Sequence, residues 1–283
     1  MKTIRVIPRI DVKGSNVVKG IHLEGLRVLG TPNSFAEYYY SQGADELIYM
    51  DIVASLYGRN SLLDVVRKTA EDVFIPITVG GGLRSIDDIS DALKSGADKV
   101  CINTAAINDN DLIARAVDKF GSSTIVIAIE AIKQNTGEYH AFTDNGREQT
   151  GIEVLEWAHR VEKLGAGEIL LTSVDAEGTG KGADIDLINS VANEVNIPLI
   201  VHGGVGNIDH IIDIVASTKA SAIALSSILH YDAISNVTGG NCPPESGGNR
   251  EFLSSNRVCK HIDASTIEKI KKKLSEFGLE VRL

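Results

Sequence analysis

Eight short runs of β-branched and apolar residues recur along the chain, separated by stretches with the spacing of amphipathic helices. The runs are Ile4–Ile10, Glu46–Asp51, Ile75–Val79, Lys99–Ile102, Thr124–Ile129, Glu168–Ser173, Ile197–Val201 and Ala222–Ser226. Most are apolar almost throughout instead of alternating, as expected of parallel strands whose outer face is covered by helices. Helical periodicity lies between them at Ser61–Glu71, Ile86–Ser95, Asn110–Phe120, Gly151–Leu164 and Ile185–Val195. The segment SIDD at Ser85–Asp88 has the form of a helix start, a capping hydroxyl followed by acids in the first turn. Eight strands alternating with helices predict an α/β protein, a (β/α)8 TIM barrel.

The pattern also repeats at half length. IRVIPRIDV (Ile4–Val12) answers STIVIAIEA (Ser123–Ala131), and GADELIYMDI (Gly43–Ile52) answers GAGEILLTSV (Gly165–Val174). IPITVGGGLRSIDD (Ile75–Asp88) answers IPLIVHGGVGNIDH (Ile197–His210), and ADKVCINTAAI (Ala97–Ile107) answers ASAIALSSIL (Ala220–Leu229). The offsets run from 119 (Asp11 to Glu130) to 123 (Asn103 to Ser226). Two half-barrels, about 1–122 and 123–283, closing into one domain over 1–283 would remove the exposed edges that each half would have alone. A doubly wound open sheet would not explain the repeat.

Three segments depart from the repeat: Gly20–Ser34, the polar Gln134–Thr150 with the turn signals of a small hairpin, and the Gly-, Pro-, Ser- and Asn-rich Asp232–Lys260. All follow strands, which places them on the C-terminal face of a barrel, where such folds do chemistry. The last, about 232–260, is an inserted loop with two readings, a functional lid or disorder.

Composition narrows the function. A formal net charge of −10, with KIKKK of the final helix as the one basic run, argues against nucleic acid. That run reads as the solvated face of a terminal helix. No long apolar segment suggests a signal peptide or a membrane span, so the expectation is a cytoplasmic protein with no membrane partner. Cys101, Cys242 and Cys259 make no disulfide framework, and Cys101 reads as a buried apolar residue. Cys242, Cys259 and His261 fall short of the paired spacing of a zinc site, so no metal and no cofactor are expected.

The repeat points to candidate chemistry. Asp11 and Glu130 stand at equivalent strand ends on opposite sides of the predicted mouth. Two carboxylates across a partly dry pocket perturb each other, which suits one to act as acid and the other as base. VGGGLRS (Val79–Ser85) and HGGVGN (His202–Asn207) each run from a strand through glycines into a helix, a geometry that presents backbone N–H groups to anions. Each is followed by a second site, INTAA (Ile102–Ala106) or LSSIL (Leu225–Leu229). Two facing phosphate sites imply a substrate with a phosphate at each end.

IPRIDVKGSNVVKG, VFIPITVGGGLRSIDD, GADKVCINTAA and GAGEILLTSVDAEGTGKG resemble the cyclase subunit of imidazole glycerol phosphate synthase, over nearly the whole chain. The resemblance implies a half-duplicated (β/α)8 barrel with a glutaminase partner docked at its N-terminal face. It implies a lyase and cyclase that takes ammonia from that partner onto a bis-phosphorylated formimino aminoimidazole carboxamide ribotide. The products would be imidazole glycerol phosphate and an aminoimidazole ribotide. It carries the catalytic acids to Asp11 and Glu130, and one phosphate site to Gly82, Asn103 and Thr104. The other falls on Gly178, Gly204, Ser226 and Ser227. An ammonia gate falls on Arg5, Glu46, Lys99 and Glu168, which the strand pattern independently places at the opposite mouth; a salt-bridge ring serving only stability is the other reading.

The chain departs from the family in its site. Glu130 and Glu177 stand where the family has aspartates, and His202 where it has a small serine. One added methylene moves a carboxyl by about an ångström, a displacement that can cost ~10²-fold in rate. HLEGLRVLGTPNS lacks the family's acidic stretch, and Asp232–Lys260 lengthens a loop that is short in the family. Two alternatives follow: a paralogue that passes ammonia to another acceptor, such as a surface-polysaccharide sugar, and a non-catalytic scaffold that activates its glutaminase.

Overall fold

The computed structural model describes residues 3–54, 62–237 and 261–282. Its strands in chain order are β1 (Arg5–Lys13), β2 (Asn16–Ile21), β3 (Glu24–Gly30), β4 (Leu47–Asp51), β5 (Ile77–Gly80) and β6 (Lys99–Ile102). Then come β7 (Ile125–Lys133), β8 (Tyr139–Thr143), β9 (Glu148–Glu153), β10 (Glu168–Ser173), β11 (Leu199–His202) and β12 (Ala222–Leu225). The helices are α1 (Pro32–Ser41), α2 (Leu63–Asp72), α3 (Ile86–Lys94), α4 (Thr104–Asn108) and α5 (Asp111–Phe120). They continue with α6 (Val154–Lys163), α7 (Ile185–Glu194), α8 (Ile208–Ser217), α9 (Ser227–Val237) and α10 (Ile267–Glu276).

Eight of the strands pair in parallel in the order β1-β4-β5-β6-β7-β10-β11-β12, and β12 returns to β1 with Ala222 opposite Arg5. The barrel is closed, as the strand pattern predicts. Alternation along each strand divides the core in two. Outward side chains such as Val6, Tyr49, Ile127 and Leu171 join the helices in the large cluster, whereas Ile7, Ile48, Cys101, Val126, Leu170 and Ile200 fill the lumen. Cys101 is buried as expected, and burial pushes its thiol up to about 12.

The SIDD motif caps α3 as predicted. Ser85 Oγ accepts from the Asp88 N–H at 3.1 Å, and the Arg84 N–H donates back to the Asp88 carboxylate at 3.0 Å. The helix expected from Gly151 starts three residues later, because Gly151–Glu153 complete β9 and Glu153 becomes the N-cap. The lysine run of α10 is not wholly solvated. Lys271 is buried and ion-paired with Asp45 at 2.6 Å, since its stem follows the apolar stripe of the helix inward.

Two of the supposed departures from the repeat are copies of one another. β1 continues into the antiparallel hairpin β2–β3, and β7 continues into the antiparallel hairpin β8–β9. The segment expected to be a loop from Asp232 is helical through Val237, where Ala233 is buried and Tyr38 Oη donates to Asp232 at 2.7 Å. Residues 238–260, with Cys242 and Cys259, lie outside the described residues; His261 is exposed. Among the described residues no helix is long and apolar enough to cross a membrane.

Candidate active site

β1 shows how the lumen is layered. Its inward residues, two apart, are Arg5, Ile7, Arg9 and Asp11, running from the N-terminal mouth to the C-terminal one. Arg5 belongs to a ring of charge. It donates to Glu46 at 2.6 Å and to Glu168, while Lys99 donates to the same two carboxylates at 3.0 and 3.1 Å. Cations and anions therefore alternate around a closed four-membered circuit. Burial works against the Arg5 guanidinium, but Glu168 and Glu46 outweigh it and hold Arg5 above its ordinary value. Above the ring comes the apolar layer of Ile7, Ile48, Val126, Leu170 and Ile200.

Arg9 lies above that layer, 2% exposed. Its Nε donates to Asp11 Oδ1 at 2.9 Å, and its Nη1 reaches across to Thr172 Oγ1 and His202 Nδ1, both at 3.2 Å. Burial would lower the Arg9 guanidinium, yet Asp11, with Glu177 and Glu130 behind it, keeps it above its ordinary value. Burial drives His202 well below its ordinary value, with Arg9 and Lys19 adding to the effect, so the imidazole is neutral. With Nδ1 accepting from Arg9, the ring proton is on Nε2, which faces Ser226 Oγ at 3.4 Å; that hydroxyl donates to the Arg9 carbonyl at 3.0 Å.

Glu130 faces this network from β7, in register with Thr172 of β10. Burial pushes its carboxyl up to about 7, with Asp11 and Asp144 also raising it and Arg9 and the Gly146 N–H opposing. The Gly146 N–H donates to Glu130 Oε2 at 2.8 Å. A cavity of 240 Å³ opens beside it, lined by Glu130 and Arg9 together with Gly82, Asn103, Thr104, Arg84 and Asn145. The residues expected to form the first phosphate site and one carboxylate thus share one space. Asn103 Oδ1 is buried there without a partner, although its Nδ2 is bound to the Phe142 carbonyl. Gly81 must be glycine, with φ at +97° and the Asp51 carbonyl oxygen 2.2 Å from any Cβ. Asp11 does not line the cavity; it is ion-paired to Arg9 and 3% exposed.

The residues expected to form the second phosphate site are covered. Gly204, Ser226 and Ser227 are buried and Gly178 is half-buried; none of the four lines the cavity. Gly204, at φ +89°, would put a Cβ 1.9 Å from the Gly182 carbonyl oxygen. His202 occupies the space between this set and Arg9, and the β2–β3 hairpin lies over Gly178. That hairpin is fastened by a buried ion pair between Lys19 and Glu177. Its turn residues His22 and Leu23 take φ of 51° and 61°, and their amides are held by the Glu177 carbonyl at 3.0 Å and the Glu177 carboxylate at 3.1 Å. Asn145, in the turn of the other hairpin, donates to the Leu23 carbonyl at 3.1 Å.

The residues singled out in the sequence are therefore gathered at two ends of one lumen: the ring below, and Asp11, Glu130 and both glycine turns above. Arg9, Lys19 and Arg84 were missed. Arg9 had a signal, a basic residue inside an otherwise apolar strand at the position where the second copy has Ala128. Among the described residues, no group of three or more His, Cys, Asp or Glu is arranged to hold a metal.

The histidine biosynthesis protein family matches residues 5–235. The imidazole glycerol phosphate synthase subunit HisF of Legionella pneumophila is 57% identical over 209 residues, 74% of this chain and 99% of that protein. The HisF subunit of Clostridium botulinum (strain Okra / Type B1) is 46% identical over 236 residues, 83% of this chain and 93% of that protein. A closed, half-duplicated barrel with Asp11 and Glu130 at equivalent strand ends agrees with that match, and the chain belongs to the histidine biosynthesis protein family as a barrel of the HisF cyclase-subunit type.

Proposed function

We propose that the barrel is the ammonia-using lyase and cyclase subunit of a two-protein enzyme, with a glutaminase docked on the N-terminal face. The observation that carries this reading is the cavity that joins Glu130 to Gly82, Asn103 and Thr104 above a lumen closed below by Arg5, Glu46, Lys99 and Glu168. Ammonia enters past the ring and crosses the apolar layer, where only its neutral form is tolerated. It meets the ribulosyl arm of a bis-phosphorylated formimino aminoimidazole carboxamide ribotide. One phosphate sits at Gly82, Asn103 and Thr104; the other is received by Gly178, Gly204, Ser226 and Ser227 once the β2–β3 hairpin lifts. Asp11 and Glu130 relay protons as the imine forms, the carbon–nitrogen bond breaks and the imidazole closes. The products are imidazole glycerol phosphate and aminoimidazole carboxamide ribotide.

The test is direct. The ribotide supplied with an ammonium salt yields imidazole glycerol phosphate; no turnover by a folded protein would remove this reading. One observation favours a second: His202 and the Lys19–Glu177 pair cover the second phosphate set, as suits an acceptor with a different far end, such as a polysaccharide sugar. In that case a glutaminase–barrel complex consumes glutamine in the presence of the true acceptor and ignores the ribotide.

A further inference from the structure

A duplicated pair of carboxylates has no built-in division of labour. Asp11 and Glu130 descend on equivalent strands, and two equivalent acids sharing one site titrate as a pair instead of holding separate roles. The residue two positions before each breaks the symmetry: Arg9 in the first copy, Ala128 in the second. Arg9 is bound to Asp11 directly through Nε, whereas it acts on Glu130 through space.

Its placement is fixed from several sides. Nη1 is held by Thr172 and His202, and the His202 ring passes its other face to Ser226, whose hydroxyl returns to the Arg9 carbonyl. A guanidinium also keeps its charge at every physiological pH. The groups facing it are Asp11 on its own strand, Glu130 on β7, Glu177 in the loop after β10, His202 on β11 and Cys101 on β6. Those facing Glu130 are Arg9, Asp11, Cys101, Asp144 and the Gly146 N–H.

We propose that Arg9 is a positioning residue that makes the two carboxylates unequal, holding Asp11 as the ionised proton acceptor and leaving Glu130 as the proton donor. The assignment rests on the acid–base reading of the pair given above. The burial that keeps Glu130 protonated to about pH 7 has no such cation bonded to it to cancel the effect.

The experiment reads the two carboxyls themselves, without substrate. The intact protein, labelled with 13C at its Asp and Glu side-chain carboxyls, is titrated by NMR, with Asp11→Asn and Glu130→Gln supplying the assignments. In the native protein Asp11 stays ionised through the range in which Glu130 titrates. In Arg9→Met the Glu130 midpoint moves up, because the cation that opposed protonation is gone, and the two carboxyls titrate jointly; Arg9→Lys returns the native order. Arg9→Gln, which keeps a donor toward Asp11, replaces Arg9→Met if that variant does not fold. The proposal is overturned if Asp11 titrates together with or above Glu130 in the native protein, or if a folded neutral variant leaves the Glu130 midpoint in place. A failed ribotide assay beside the expected titration would remove the reaction and leave the charge assignment standing. With turnover, Arg9→Met also shifts the alkaline limb of kcat upward, a change that a purely structural role would not produce.

Discussion

Asn145 donates a hydrogen bond to the carbonyl of Leu23 at 3.1 Å, and the two residues are 122 positions apart, the half-length offset of the chain. The turns of two copied hairpins therefore touch each other above the mouth. Both turns place paired non-glycine residues at positive φ, His22 and Leu23 in one, Asp144 and Asn145 in the other. Asp, Asn and His are enriched in that region, whereas Leu enters it at a cost of about 1 kcal/mol or more. The first turn must be held by something outside itself, and Glu177 supplies it.

Glu177→Gln should release that turn. The Leu23 amide exchanges a charged acceptor for a neutral one, a loss of roughly 1 kcal/mol, and Lys19 loses its buried ionic partner. Because the hairpin can lift and hydrate Lys19, the loss appears as local opening and not as global unfolding. Hydrogen exchange at His22 and Leu23 should quicken at least several-fold, with the amides of β10 unchanged. Equal exchange in both proteins would show that the pair does not fasten the hairpin.

Glu130 should make stability depend on pH. Its carboxyl is raised from 4.5 to about 7 in the fold, so between those values the folded chain binds more protons than the unfolded one. Stability from this group is intact below about pH 4.5, falls as pH rises toward 7, and stays low above. Glu130→Gln removes the penalty, a gain on the order of 3 kcal/mol at pH 8. Its thermal midpoint should exceed the native one at pH 8 and match it near pH 4.5. A constant difference across that range would contradict the burial effect.

The ring predicts a loss of coupling. Lys99→Met leaves Glu46 and Glu168 sharing Arg5 alone. Lys99 and Arg5 are partly solvated, at 19% and 25%, so the stability cost is about 2 kcal/mol, below that of breaking a fully buried pair. Turnover driven by glutamine through the glutaminase should drop more than turnover driven by added ammonium. If both fall in proportion, the ring is structural.

His202→Ser should uncover the proposed second anion site. The neutral imidazole fills the space beside Ser226 and engages its hydroxyl. Calorimetry with inorganic phosphate should show one binding event in the native protein and a second, weaker one in the variant. Unchanged stoichiometry would assign the obstruction to the hairpin alone.

Much of the fold was legible because parallel strands buried on both faces have to be apolar runs. Lys99–Ile102 and Glu168–Ser173 match to the residue. The glycine turns were legible because close backbone approach tolerates nothing else. The β2–β3 hairpin was not, since its turn sits on His22 and Leu23 and lacks the Asn-Gly type of signal that the Asp144–Gly146 turn carries. Arg9 and Lys19 escaped for a different reason. A lone basic residue in a strand says nothing until barrel closure decides that it points into the lumen and what faces it there.

The circuit of Arg5, Glu46, Lys99 and Glu168 holds two positive and two negative groups in alternation. Such an arrangement is a quadrupole with no net charge, and its field dies away far faster than that of an ion. The ring itself therefore adds little pull on ammonium at a distance. Under the function proposed above, delivery through it would then depend on a donor seated against the rim.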